Sequence, residues 1–286
     1  MYIYIDGSFV LAEHAKISVF DHGYMYGLGL FETFRIYDGH PFLMDDHFRR
    51  LEDGLQHLAI HWSMTKSETL AILGGLLEKN ELQDAYVRWN VSAGYGDVGL
   101  YTGIYDKPTT IVYMKPLPKR METSKKAKIL RIPRNTPEGS ERLKSHHYLN
   151  NVLAKREIGD RLDIEGLFLT EKGDLAEGIV SNLFWVKNGV VYTPSLETGI
   201  LNGVTRQFVL ALLKREGIRY QEGLYKKEVL FEADEAFVTN SIQEIISLTA
   251  CDDVLFSEDR PVITYLQGAY KQARKMLMSK DELRKE

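Results

Sequence analysis

The chain has 286 residues, 44% hydrophobic and 27% charged, with a formal net charge of −4 and a mean hydropathy of −0.25. Such a chain folds as one large globular domain or two modest ones, and no apolar run in it approaches the length of a membrane span. The acidic balance, with a pI of about 6.1, argues against nucleic-acid or membrane-surface partners. The only cysteine, Cys251, excludes an internal disulfide framework and fits a reducing, cytoplasmic setting. It stands before Asp252 and Asp253 without a basic neighbour, so it reads as a packing residue.

Tyr2-Ile-Tyr-Ile alternates into Asp6-Gly7, which predicts a first strand and turn and not a secretory leader. Phe31–Tyr37 alternates as well and turns at Asp38-Gly39. Asp45 or Asp46 is placed to cap a helix with Phe48, Leu51, Leu55 and Leu58 on one face. Thr65-Lys-Ser-Glu68 is a capping box for a second helix, expected to bury Leu70, Leu73 and Leu77. Strands at Tyr86–Val91 and Thr110–Met114 complete a small α+β domain over 1–116. The polar, proline-bearing stretch 117–126 reads as a linker to a larger, strand-rich α/β domain over 127–286. That half carries a hairpin around Glu171-Lys-Gly-Asp174, another around Lys187-Asn188-Gly189, and helices at about 203–216 and 262–278. Lys280-Asp-Glu-Leu283 imitates a retention signal but is not C-terminal.

Two central segments carry the chemistry: Arg142-Leu-Lys144-Ser-His-His-Tyr148 and Ala176-Glu177-Gly-Ile-Val-Ser181-Asn182. Each draws one charge toward apolar neighbours, Lys144 toward Leu143 and Leu149, and Glu177 toward Ala176 and Ile179. Buried charges of this kind need partners. Pyridoxal phosphate uses such a pair, a Schiff-base lysine and an acid against its ring nitrogen. The bland alternatives are a solvated lysine and a strand-edge carboxylate. Phosphate donors are available at Asn202-Gly203-Val204-Thr205, which opens a helix, and at Thr239-Asn240-Ser241, expected to start another helical turn. Hydroxyl-rich helix starts are usually only caps, and Arg49-Arg50 could be a fork of charge or a solvated basic face. Gly23…Gly27-Leu-Gly29 lacks the nucleotide-loop spacing, and the adjacent His146 and His147 are not a metal pair, so no metal site is expected.

The runs around Lys144, Ala176–Phe184, Gly203–Arg206, Ala233–Ser241 and Tyr24–Arg35 resemble the class IV (fold-type IV) pyridoxal-phosphate enzymes over about residues 1–270. That family includes branched-chain and D-amino-acid aminotransferases and 4-amino-4-deoxychorismate lyases. The resemblance implies the two-domain fold-type IV (D-amino-acid aminotransferase-like) α+β fold. It implies Lys144 as Schiff-base lysine and proton shuttle, and Glu177 at the pyridine nitrogen. Arg50, Val204, Thr205 and Ser241 would hold the phosphate, with Ser181, Asn182 and Asn240 completing the cofactor-binding set. Tyr148 would bond the ring hydroxyl, although its spacing from Lys144 is one residue shorter than in branched-chain aminotransferases. Tyr26, Thr33, Arg35 and Arg88 would face a small anionic substrate. A homodimer, with each site near the subunit interface, is implied too.

Lys144 and Glu177 serve transamination and elimination alike, so neighbouring positions must separate them. Ala93 stands where D-amino-acid aminotransferases carry a carboxylate-binding arginine, and Thr33 stands where branched-chain aminotransferases typically carry glycine. The stretch from Arg134 to Asn151 most resembles bacterial aminodeoxychorismate lyases. The expected activity is therefore elimination of pyruvate from aminodeoxychorismate to form 4-aminobenzoate, a folate precursor. A branched-chain or D-amino-acid aminotransferase is the first alternative. A non-catalytic pyridoxal-phosphate-binding protein is the second, disfavoured because mere binding requires neither Lys144 nor Glu177.

Overall fold

The computed structural model describes residues 1–117 and 123–283. They form two compact units: 1–117 with Leu143–His147 and Arg274–Ser279, and 123–142 with Tyr148–Ala273 and 280–283.

In chain order the first unit contains β1 (Tyr2–Ile5), β2 (Ser8–Leu11), α1 (His22–Tyr26), β3 (Gly29–Tyr37), β4 (His40–Pro41), α2 (Met44–His57), α3 (Lys66–Asn80), β5 (Ala85–Ser92) and β6 (Thr109–Lys115). The strands pair in the order β2-β1-β6-β5-β3-β4. Asp6-Gly7 and Asp38-Gly39 turn with positive φ at both residues, which short polar side chains and glycine tolerate. Alternation along β3 sends Leu30, Phe34 and Ile36 into a core with Leu51, Leu55 and Trp89. It leaves Phe31, Thr33 and Arg35 on the opposite face.

Two helix expectations need correction. α2 starts at Met44 behind a left-handed Leu43, and Asp45 and Asp46 lie inside its first turn, where the helix dipole favours acids. In α3 the Thr65–Glu68 capping box forms, but the buried residues are Thr69, Ile72, Leu73 and Leu76. Leu70 is 37% exposed. A leucine-rich helix offers two apolar faces, and packing against β1 selects one of them.

The second unit holds β7 (Ser124–Ile129), α4 (Leu149–Ile158), β8 (Ile164–Leu169), β9 (Leu175–Gly178), β10 (Asn182–Lys187), β11 (Val190–Pro194), α5 (Val204–Arg215), β12 (Tyr220–Gly223), α6 (Glu228–Phe231), β13 (Glu235–Asn240), β14 (Glu244–Cys251), β15 (Val254–Leu255) and α7 (Pro261–Ala273). The strands run β12-β11-β10-β13-β14-β7-β8-β9, with β15 on β14, and β9 pairs back onto β10. That pairing closes a ring through β10, β13, β14, β7, β8 and β9 and removes the open edge at β9. The closing rung is Glu177 opposite Asn182.

The expected 117–126 linker falls partly on residues 118–122, which lie outside the described residues, and Ser124–Lys126 belong to β7. There Lys125 and Ala127 point inward and Lys126 and Lys128 outward, an alternation hidden from a hydropathy reading by three lysines. Both expected hairpins form, and Asn188-Gly189 adopts positive φ at both turn residues. The helix expected over 262–278 stops at Ala273. The helical turn expected after Thr239 is instead the tight connection between the antiparallel β13 and β14. Cys251 is buried, and burial pushes its thiol up to about 12, as a packing residue requires. Among the described residues no helix is long and apolar enough to cross a membrane.

Candidate active site

In the first unit, Leu143–His147 runs beside the start of β3, with the Phe31 N–H donating to the Lys144 carbonyl (2.9 Å) and the His146 N–H to the Gly29 carbonyl (3.0 Å). Ser145 bridges Leu30, so Lys144 and His146 share the face of Phe31. The Lys144 ammonium lies 4.6 Å from the Phe31 ring centre and the Arg88 guanidinium 3.7 Å. Arg88 is paired with Thr33 across β5 and β3. His146 stacks on Phe31 with ring centres 6.3 Å apart. Burial, reinforced by the Arg88 charge, pushes His146 down to about 4, so its imidazole is neutral at pH 7. One aromatic ring thus gathers an amine, a guanidinium and a neutral imidazole.

On the α2 side of β3 is a second charge cluster. Arg50 grips Glu32 with Nε to Oε1 (2.8 Å) and a terminal nitrogen to Oε2 (2.6 Å), and Glu32 Oε2 also meets His47 Nδ1 at 2.7 Å. Burial alone would raise the Glu32 carboxyl, but Arg50 and His47 reverse that and hold it at about 2. Burial lowers His47, against the pull of Glu32. Arg50 is therefore a fixed, 18%-exposed guanidinium, whereas Arg49 is half-exposed. The solvated-face alternative holds for Arg49 and not for Arg50. Arg35 lies over Tyr37, 4.5 Å from its centre. Tyr26 ends α1, where its hydroxyl accepts the Gly99 N–H (2.8 Å).

In the second unit, Glu177 is buried at the ring-closing rung. Its Oε1 accepts Arg134 Nε at 2.8 Å with Arg142 Nε at 3.8 Å, and its Oε2 accepts the Leu201 N–H at 3.0 Å and Asn182 Nδ2 at 3.4 Å. Arg134 and Arg142 escaped the sequence reading as site residues. Arg134 stands 43 positions from Glu177, and its only local signal is a loop rich in polar side chains. Burial, with Arg134 adding repulsion, lowers Arg142 to about 10.

Asn182 also donates to the Leu201 carbonyl (2.8 Å), tying the rung to the loop before α5. Gly203 is the N-cap of α5 and provides no side chain for the first-turn N–H groups. A methyl group on Gly203 would collide with Asn182 Oδ1. Just inside, the hydroxyls of Thr205 and Ser241 lie 3.3 Å apart. Asn240 folds its Oδ1 onto the N–H groups of Ile242 (2.9 Å) and Gln243 (2.7 Å), shaping the β13–β14 turn. The buried Thr239 hydroxyl has no hydrogen-bond partner among the described residues. Ser181 donates its hydroxyl to Glu165 (2.8 Å). Tyr148 is the residue before α4. Leu149, expected to help desolvate Lys144, is instead 68% exposed at the start of that helix.

These groups fit pyridoxal phosphate. Uncapped N–H groups of a helix start with two adjacent hydroxyls suit a phosphate, and a buried carboxylate held by an arginine suits a protonated ring nitrogen.

Fold and side chains together define a class, and the comparisons name it: residues 29–251 match the family model for amino-transferase class IV. The chain belongs to that family. It is 48% identical to the aminodeoxychorismate lyase of Bacillus subtilis over 96% of each chain. Among solved structures it matches a 4-amino-4-deoxychorismate lyase from Pseudomonas aeruginosa with a TM-score of 0.85 and 28% identity, covering 94% of this chain and 98% of that one. A branched-chain amino acid aminotransferase from Thermoproteus uzoniensis, solved with norvaline, matches with a TM-score of 0.86 and 26% identity over 95% and 94%. Backbone similarity alone does not separate the two reactions.

Proposed function

We propose that this protein is a pyridoxal-phosphate-dependent 4-amino-4-deoxychorismate lyase that releases pyruvate and 4-aminobenzoate. The geometric observation carrying it is the pairing of Lys144 and Arg88 on the Phe31 ring, beside the 48% identity to a lyase. An amine that moves protons and a cation that fixes a carboxylate suit an anionic substrate.

Bound pyridoxal phosphate would supply an electron sink for the carbon next to the substrate nitrogen. Glu177, fixed by Arg134 and the Leu201 N–H, holds a proton at the pyridine nitrogen. Arg50, the α5 start at Val204 and Thr205, and Ser241 hold the phosphate. Lys144 Nζ takes the proton from the substrate carbon that carries the amino group. Loss of the enolpyruvyl side chain as pyruvate then aromatises the substrate ring, which makes the elimination downhill. Arg88 fixes a substrate carboxylate, and Thr33 opposite it presents a hydroxyl where glycine would leave open space. Asn182 and Asn240 act as positioning residues for Glu177 and for the Ser241 turn. Tyr26 and Arg35 are assigned to the substrate side.

The protein is further read as a cytoplasmic homodimer. Tyr24, Tyr95, Val98, Leu100, Tyr101 and Ile104 of the first unit are all exposed, and a second copy would cover such an apolar set. Sedimentation at micromolar concentration tests this.

The activity is tested by adding aminodeoxychorismate to the yellow holoenzyme without any keto-acid acceptor. 4-Aminobenzoate and pyruvate should appear in equal amounts, and Arg88→Ala should lower kcat/KM by more than about tenfold, ~1.4 kcal/mol. Rapid turnover of leucine or D-alanine that requires a keto-acid acceptor, with no 4-aminobenzoate formed, would overturn the lyase reading.

A further inference from the structure

One buried charge pair has no part in the roles assigned above. Lys125 is the single inward-pointing lysine of β7, and its Nζ donates to Glu165 Oε2 at 2.9 Å, with both side chains less than a tenth exposed. Hydrogen bonds lead away from the pair in two directions. Toward Glu177, Glu165 Oε1 accepts the Ser181 hydroxyl at 2.8 Å. The same oxygen abuts Gly178, where a Cβ would come within 2.6 Å of it. Toward the β13–β14 turn, Lys125 Nζ donates to Gln243 Oε1 at 3.2 Å, and that oxygen also accepts Asn240 Nδ2 at 3.2 Å. β14 carries a bulge opposite Lys125, where the Thr249 hydroxyl donates to the Lys125 carbonyl at 3.2 Å. Bulges re-aim side chains and gather near active sites.

Stability does not account for the pair. Replacing a buried ion pair by apolar side chains of similar volume is often neutral or stabilising, and Ala127, on the same face of β7, already packs in an apolar cluster. A leucine would suit position 125 if packing were the only demand. The motif Ala176–Asn182 accordingly divides in two. Glu177 and Asn182 meet at the ring-closing rung, whereas Gly178 and Ser181 accommodate Glu165.

We infer that Lys125 and Glu165 form a positioning strut that sets the Asn240–Ser241 turn, and with it the phosphate affinity of the site. This rests on the reading of Ser241 and Thr205 as phosphate ligands. Lys125 and Glu165 touch no reacting atom. They act through Gln243 and Asn240 on one side and through Ser181 and Gly178 on the other.

The test compares apo protein titrated with pyridoxal 5'-phosphate and with pyridoxal, which lacks the phosphate. Three variants are used: Lys125→Met, the charge-free Lys125→Met/Glu165→Leu, and Gln243→Leu, which cuts the link to the turn and leaves the ion pair intact. Pyridoxal 5'-phosphate affinity should fall about tenfold or more in each folded variant. Pyridoxal affinity should stay within about twofold, so the preference for the phosphorylated form shrinks. The double variant should melt near the wild-type temperature, which separates positioning from stability. If Lys125→Met fails to fold, the double variant and Gln243→Leu decide. A wild-type preference ratio in folded Gln243→Leu and in the double variant overturns the strut. Wild-type protein that binds pyridoxal 5'-phosphate no better than pyridoxal would instead defeat the phosphate assignment itself.

Discussion

The two units present their charges in opposite ways. Around Phe31, Lys144 and Arg88 rest on an aromatic face, and Lys144 remains partly exposed. Around Glu177, both carboxylate oxygens are buried and engaged by Arg134, Leu201 and Asn182. The difference follows from the work proposed for each. A lysine that moves a proton must change partners during turnover, which its partly exposed position over the Phe31 ring allows. A carboxylate that holds one proton in place needs the opposite, since any rotation would displace that proton.

Removal of the moving group is the sharpest way to break this contrast. Lys144→Ala should cut turnover by at least about 10⁴-fold, ~5.5 kcal/mol, and leave the melting temperature almost unchanged. Borohydride should attach the cofactor to Lys144 in the wild type, and an adduct mapped to another lysine would remove Lys144 from its role. Arg134→Met should do the reverse and act first on stability. It strands a buried carboxylate and should cost about 3–5 kcal/mol in denaturant unfolding. A loss below about 1 kcal/mol would mean that Arg142 alone compensates Glu177.

Acid should find the first unit through its histidines. His146 is lowered from 6.5 to about 4, and His47 is lowered as well. The unfolded chain therefore binds more protons than the folded one as pH falls below 6.5, and stability declines over that range. The part due to His146 amounts to ~3 kcal/mol and is complete near pH 4. Glu32, lowered to about 2, adds a further loss between about pH 4.5 and 2. Unfolding curves at stepped pH should show the first decline, and His146→Phe should flatten it. An unaltered slope in that variant would assign the decline elsewhere.

The smallest effect is expected at the boundary of the contrast, where Arg50 is fixed by Glu32 yet 18% exposed. Arg50→Ala should weaken pyridoxal 5'-phosphate by about 10- to 150-fold, ~1.5–3 kcal/mol for one charge-assisted hydrogen bond. An unchanged dissociation constant would leave Arg50 with only its structural partner.

Local chemistry made a good part of this protein readable from its residues alone. The turns at Asp6-Gly7, Asp38-Gly39 and Asn188-Gly189, the Thr65–Glu68 capping box and the β8–β9 hairpin all depend on neighbours a few positions apart. Lys144 and Glu177 stood out because each is a charge set among apolar neighbours. The motifs around them resemble a family whose chemistry uses both.

What stayed hidden depends on distance along the chain and on which of several allowed faces is buried. Arg134 meets Glu177 only in the fold, where its N–H donates to Leu169 of β8 beside β9, and Lys125 reads as linker until β14 and β8 flank it. The start of α2, the buried face of α3 and the turn after Thr239 were likewise chosen by packing, because local propensity differs there by only tenths of a kcal/mol. The sequence by itself determined the local turns, most of the elements, the family and the residues proposed to react. Tertiary structure alone decided which arginine holds the carboxylate, which serine meets Glu165 and which lysine is buried, because burial and ion pairing join residues that the chain keeps far apart.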